Sequence, residues 1–209
     1  RTDMDIIGTL ILALLTVVAT SLDEVVLLAM FYGTVPSGRA GSDRRRAIGT
    51  GYITGSILAV MISATVALGL VQIPNNQLLS WIGIIPLIMG IYALARPNGE
   101  KEELEVAGTV AVHTKGFGPA MQFAVLALVL SIDDFGVYIP LLAGMELGEA
   151  LIMIAVAITC IFGIALAGRR ISKVSSVKNI LEKAERWLVP VFFIVIGAYT
   201  VIEGQTGLW

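Results

Sequence analysis

Six apolar segments, each close to the ~20 residues that a ~30 Å hydrocarbon core demands of a helix, divide this chain of 209 residues. They run Ile6–Tyr32, Ala47–Val71, Leu78–Ala95, Pro119–Ala143, Leu147–Ala167 and Trp187–Ile202; the third and sixth are short and need flanking residues to complete a crossing. In lipid every backbone amide must be bonded within its own helix or within a closed barrel. No ~10-residue stretch alternates as a barrel strand would, so the expected fold is an all-α integral membrane protein with six transmembrane helices. Composition agrees: mean hydropathy is +0.87, and 14% of residues are charged, against roughly 25% in soluble domains. The first segment is too long for a signal-peptide core and is expected to be retained.

Lysine and arginine set the orientation. Arg39, Arg44, Arg45 and Arg46 fall between the first two segments, and Arg96, Lys101 and Lys115 between the third and fourth. Arg169, Arg170, Lys173, Lys178, Lys183 and Arg186 fall between the fifth and sixth. Thirteen of the fourteen basic residues thus share one side, with only Arg1 opposite, while the stretches Gln72–Gln77 and Gly144–Glu146 carry none. The positive-inside rule makes the three basic loops cytoplasmic and puts both termini outside, as expected of a multi-pass protein of the plasma membrane. The basic stretch 169–186 is expected to lie at the anionic inner leaflet as an interfacial helix. A nucleic-acid partner is not expected.

The two halves echo each other. The third segment carries Trp81, Pro86, Gly90 and Tyr92, and the sixth Trp187, Pro190, Gly197 and Tyr199, sharing a Gly-x-Tyr ending. Residues 1–96 and 119–209 then read as two repeats of three helices, joined by a cytoplasmic linker over 97–118. Three is odd, so the second repeat enters the membrane inverted, a plan that places substrate sites near the midplane between the halves.

Two acidic pairs occupy that midplane: Asp23-Glu24 and Asp133-Asp134, each after a Ser-aliphatic dipeptide, Ser21-Leu22 and Ser131-Ile132. A carboxylate at bilayer centre costs about 2.5–3.5 kcal/mol, so four cost on the order of 10 kcal/mol unless neutralised or coordinated. Asp23 lies roughly 14 Å from the Tyr32 end of its segment and Asp133 roughly 15 Å from the Ala143 end, measured from opposite faces. Thr16, Thr20, Ser21, Ser131 and Tyr138 are candidates to line the same space, as are Thr50 and Thr54 on the second helix and Thr159 and Cys160 on the fifth. Gly136 and Pro140 are candidate points for a helix break that frees backbone carbonyls. Carboxylates, hydroxyls and carbonyls form an oxygen-ligand set suited to Mn²⁺, Mg²⁺, Ca²⁺ or Cd²⁺, bound as a substrate and not as a resident cofactor. With no ion present, protons are expected to relieve the repulsion among the acids and to leave when a divalent cation enters. A single histidine, His113, and a single cysteine, Cys160, exclude an intrachain disulfide, a CxxC zinc site and the His-rich clusters of nickel or cobalt handling. Gly51 and Gly55 form a GxxxG, an aid to close helix packing. The EKEELE run at 100–105 reads as a solvated part of the linker.

The segments SLDEVVLL at 21–28 and SIDDFGVYIPLL at 131–142 resemble the two signature segments of the cadmium-resistance transporter family, within the lysine-exporter superfamily. The likeness spans the chain in length, segment order and repeat order. It departs at Glu24, where the family usually has Asp, and at Ser131-Ile132-Asp133-Asp134, where a Gly-Gly-Asp-Asn pattern is typical. The resemblance implies a secondary transporter, not an enzyme, that exports a divalent cation with H⁺ or Na⁺ as counter-ion and carries Asp23, Glu24, Asp133 and Asp134 as its ion site. Two rivals differ at named features. An amino-acid exporter of the same superfamily would need a basic partner for its substrate's carboxylate, and no predicted span holds one. An intramembrane aspartyl protease would show YD and GxGD segments, and here Asp23 follows Leu22 while Asp133 follows Ile132.

Overall fold

A computed structural model describes residues 6–36, 38–72, 84–95, 99–172, 187–199 and 201–202, for 99–104 the backbone alone. The expected interfacial helix over 169–186 lies outside these beyond Ser172, as do residues 78–83 of the third segment. All regular structure among the described residues is helical.

The first apolar segment folds as two helices, α1 (Ile6–Thr20) and α2 (Leu22–Gly33), meeting at Ser21 with a bend of 47°. After it comes α3 (Arg39–Val71), then the short apolar α4 (Ile84–Ala95) and α5 (Gly99–His113). The fourth segment repeats the first: α6 (Pro119–Leu130) and α7 (Ile132–Gly144) meet at Ser131 with a bend of 60°. The long α8 (Leu147–Ile171) and short α9 (Trp187–Tyr199) complete the order. Broken pair, long helix and short helix thus occur twice in the same sequence. By length and apolarity α3 and α8 can each cross a membrane alone, and the two bent pairs bring the candidate spans to four.

Neither Gly136 nor Pro140 breaks the fourth segment, contrary to the sequence-based expectation. Pro140 sits inside a continuing α7, and Gly136 is used for close approach to Met89 and Ile85 of α4. The break falls at Ser131, whose ψ of 12° leaves the helical range and whose hydroxyl donates to the Ala127 carbonyl at 2.9 Å. A serine bonded back to the preceding turn competes with the backbone ladder and bends it. Ser21, with φ −104° and ψ 7°, makes the matching break in the first repeat.

Polarity is inside out relative to a soluble bundle. Thr9, Thr16 and Thr20 of α1 are buried, while Leu10, Leu14, Leu15 and Val18 face outward. Lipid solvates such a surface at no cost, and the Thr16 hydroxyl is satisfied within its own helix by the Leu12 carbonyl at 2.8 Å, whereas the buried Thr9 hydroxyl has no partner. The 33 residues of α3 span about 50 Å, more than a ~30 Å core accommodates, so its arginine-bearing first turns project beyond the apolar layer.

Each long helix docks on the other repeat's broken pair: α3 on α6 and α7, and α8 on α1 and α2. Glycines permit the approach. A Cβ at Gly51 or Gly55 would strike the backbone of Ala120 or Ala124 on α6, and one at Gly168 would strike Leu28 on α2. The paired Gly90 and Gly197 let α4 and α9 cross, each glycine against the other helix's backbone. The expected linker is largely helical, since α5 covers 99–113 and packs on α6. Arg169 lies within electrostatic range of Tyr32, and the Tyr32 hydroxyl lies against Gly49. The basic ends of α3 and α8 therefore share one end of the bundle.

Candidate functional site between the broken helices

Because both breaks precede an acidic pair, Asp23 and Glu24 fall in the first turn of α2, and Asp133 and Asp134 in the first turn of α7. Neither Ser21 nor Ser131 caps its helix through its side chain, so the first-turn amides remain available. The Asp133 carboxylate faces those of residues 133 and 134. Both acidic pairs thus sit at the positive end of a half-helix, where the exposed first-turn amides favour negative charge.

Asp134 lies within electrostatic range of Asp133, Glu24 and Asp23, and Glu24 of Asp133. Hydroxyls cross between the repeats. Ser131 donates to Glu24 Oε1 at 3.4 Å, while Thr20 reaches toward Asp134 and Tyr138. Tyr52 of α3 donates to Glu24 Oε2 at 2.7 Å. Thr20 therefore reaches an acid of the other half of the chain.

A cavity of about 20 Å³ lies among Ser21, Glu24, Ser56, Ser131, Asp134 and Tyr138, level with the middle of α3 and α8. That is room for about one water-sized particle. Asp134 Oδ1 and Ser56 Oγ, both buried, have no hydrogen-bond partner. Among the described residues no three carboxylate, imidazole or thiol side chains are drawn together closely enough to hold a metal ion between them.

The remaining candidates divide cleanly. Thr20, Ser21, Ser131 and Tyr138 are buried near the acids, while Thr16 is buried one turn before Thr20 and bonds its own helix. Thr50 and Thr54 are exposed and bond their own helix, to the Arg46 carbonyl at 2.9 Å and the Thr50 carbonyl at 2.8 Å. Thr159 is likewise exposed and bonds the Ala155 carbonyl at 2.7 Å. Cys160 packs beside Tyr138 without lining the cavity, and His113 ends α5 with Nδ1 2.9 Å from the Thr109 carbonyl. Tyr52, Ser56 and Ser63 are cavity or cluster residues that sequence reasoning missed. Their spacing puts them on one face of α3, about 200° from Thr54 at Ser56, and that polar stripe was the available sign.

No curated protein and no solved structure matches the chain. The family model described as cadmium resistance transporter (Cad) matches residues 17–207, nearly the whole length. Together with apolar helices facing outward, that match makes this a membrane transporter with a role in cadmium resistance and metal efflux, and the chain belongs to the cadmium resistance transporter family.

Proposed function

We propose that the chain exports a divalent cation across the plasma membrane by alternating access, binding the ion at Asp23, Glu24, Asp133 and Asp134 between two inverted three-helix repeats. One observation carries this reading: two separate helix breaks bring one acid of each pair, Glu24 and Asp134, to a single small cavity at mid-bundle, where the Asp134 Oδ1 atom is buried without a partner and Asp23 and Asp133 lie within electrostatic range of it. An acid placed there without function is costly to keep. The cavity holds little more than one water-sized particle, so the ion enters largely stripped of water and the carboxylates close around it. Mg²⁺, which dehydrates reluctantly, is then a poorer substrate than Mn²⁺, Cd²⁺ or Ca²⁺. The duplicated helix order and the reciprocal docking of α3 and α8 support the inverted repeat, with α4 and α9 as the shorter third and sixth spans.

Flux into proteoliposomes, measured for a panel of these four ions under imposed proton or sodium gradients, tests the function. Saturable Mn²⁺ or Cd²⁺ transport driven by one of the gradients is expected; a protein that binds and moves none of the four refutes the reading. The orientation has its own test. In a Cys160→Ser background, a thiol label at Glu146→Cys should react from outside intact cells, and one at Arg45→Cys only after permeabilisation. The reverse pattern overturns the topology.

A further inference from the structure

Three cavities share lining residues in series, each bordered by α3. The first is the acidic cavity. The second, about 30 Å³, shares Glu24 with the first and is otherwise lined mainly by apolar side chains, among them Leu27, Leu126, Ala127 and Leu130. The third is a groove of about 1160 Å³ among α3, α5 and α6, which carries Thr50 and Thr54 along its wall and Asp43 and Arg44 toward the basic end of α3. The second cavity and the groove have three residues in common: Phe31, Phe123 and Leu126. The two rings meet edge to face, centroids 5.3 Å apart and planes at 81°.

We infer that the Phe31–Phe123 pair is the gate on the basic face of the bundle, closing the route by which a cation passes between the α3–α5–α6 groove and the acidic cavity. This rests on the metal-transport reading and adds the access route and the residues that close it. An apolar constriction a few ångströms wide stops a hydrated cation by excluding water, without any charged latch. The rings are placed to respond to the ion. Phe31 rides on α2, about 15 Å along the helix from the break at Ser21, so a rotation of α2 that draws Asp23 and Glu24 onto an ion also moves the ring. Phe123 lies on α6, in the other repeat and before its break at Ser131. The contact therefore bridges the two halves whose relative motion alternating access requires. On the inner side, the Tyr52 bond to Glu24 stands between the second cavity and the first and ties the acid to α3. A cation arriving past the rings meets Glu24 first and displaces that hydrogen bond.

Thiol accessibility tests the gate without needing transport. In a Cys160→Ser background, Ala127→Cys reports on the second cavity and Thr54→Cys on the groove, in inverted membrane vesicles treated with a membrane-impermeant thiosulfonate. Thr54→Cys should react readily and Ala127→Cys slowly. Adding Phe31→Ala and Phe123→Ala should raise the Ala127→Cys rate about tenfold or more, the size expected from losing one edge-to-face contact and its apolar seal, and leave the Thr54→Cys rate unchanged. If the alanine pair does not fold, Phe31→Leu with Phe123→Leu keeps the apolar volume, loses the ring contact, and should raise the rate a few-fold. An Ala127→Cys rate that neither pair changes, or a Thr54→Cys that reacts only from the opposite face, overturns the gate. Because labelling is read without metal, normal flux in acidic-cluster variants would refute the ion site while leaving the gate result standing.

Discussion

Replacing Asp23 or Asp133 by Asn is expected to reduce divalent-cation transport by about 100-fold or more while leaving expression and thermal stability near those of the parent. Removing a group that merely orients a metal ligand already costs about 10–100-fold in affinity or activity, and these carboxylates are proposed as the ligands themselves. Asn matches Asp in size, so the surrounding packing is preserved while one charge leaves the cluster. Glu24 should rank next. Its Oε2 and Oε1 accept from Tyr52 at 2.7 Å and Ser131 at 3.4 Å, so Glu24→Gln keeps an acceptor for only one of the two hydroxyls and forfeits the charge. Asp134→Asn should be mildest, because an amide at that position keeps an oxygen for the ion, as the Asp-Asn pattern of the resembling family suggests. Mn²⁺ or Cd²⁺ uptake into proteoliposomes gives the ranking, and isothermal titration on detergent-purified protein separates lost binding from lost turnover. Near-normal binding in the Asp23→Asn/Asp133→Asn double variant would remove these residues from the ion site.

The acidic pairs were legible because the membrane makes a charge conspicuous: an Asp-Glu or Asp-Asp inside an apolar run has few reasons to be there other than function. Depths counted along the two segments led one to expect the pairs to meet, and Glu24 and Asp134 do line one cavity. The break at Ser131 was not legible. Reading from composition points to Gly136 and Pro140, the residues with conformational reasons to interrupt a helix, whereas the chain uses a serine hydroxyl bonded to the Ala127 carbonyl at 2.9 Å. That choice depends on a local competition for one carbonyl, which no periodicity reports. Tyr52 was hidden in another way. It sits inside the Gly51–Gly55 motif, which reads as packing, and the motif does pack α3 onto α6, while the tyrosine between the glycines bonds Glu24 of α2. Thr50 and Thr54 were attractive as hydroxyls, yet they project on the other side of α3 into the groove. The helix over 99–113 could have been anticipated from the good helix formers in EKEELE and from Val106, Val110 and Ala111, spaced to make one apolar stripe.

Apparent affinity for Mn²⁺ is expected to weaken as pH falls from about 8 to about 6, because a divalent ion and protons compete for the same carboxylate oxygens. The sign follows from mass action: the ion-bound form holds fewer protons than the empty form, so lowering pH favours the empty form. If one proton leaves per ion bound, the dissociation constant rises about tenfold per pH unit, or about 100-fold across that range; two protons would square the change. Binding should also acidify a weakly buffered solution, and the number of protons released per Mn²⁺ should equal the slope of log affinity against pH. Transport under an imposed pH gradient then follows without a second ion site, since the proton and the cation occupy the same oxygens in turn and the helix bends at Ser21 and Ser131 give α2 and α7 freedom to expose them to either face. An affinity that stays flat with pH, together with flux driven only by a sodium gradient, would eliminate protons as the coupling ion. In that case Na⁺ has to share the cluster, and the variants should divide into those that lose Na⁺ dependence and those that lose the divalent ion.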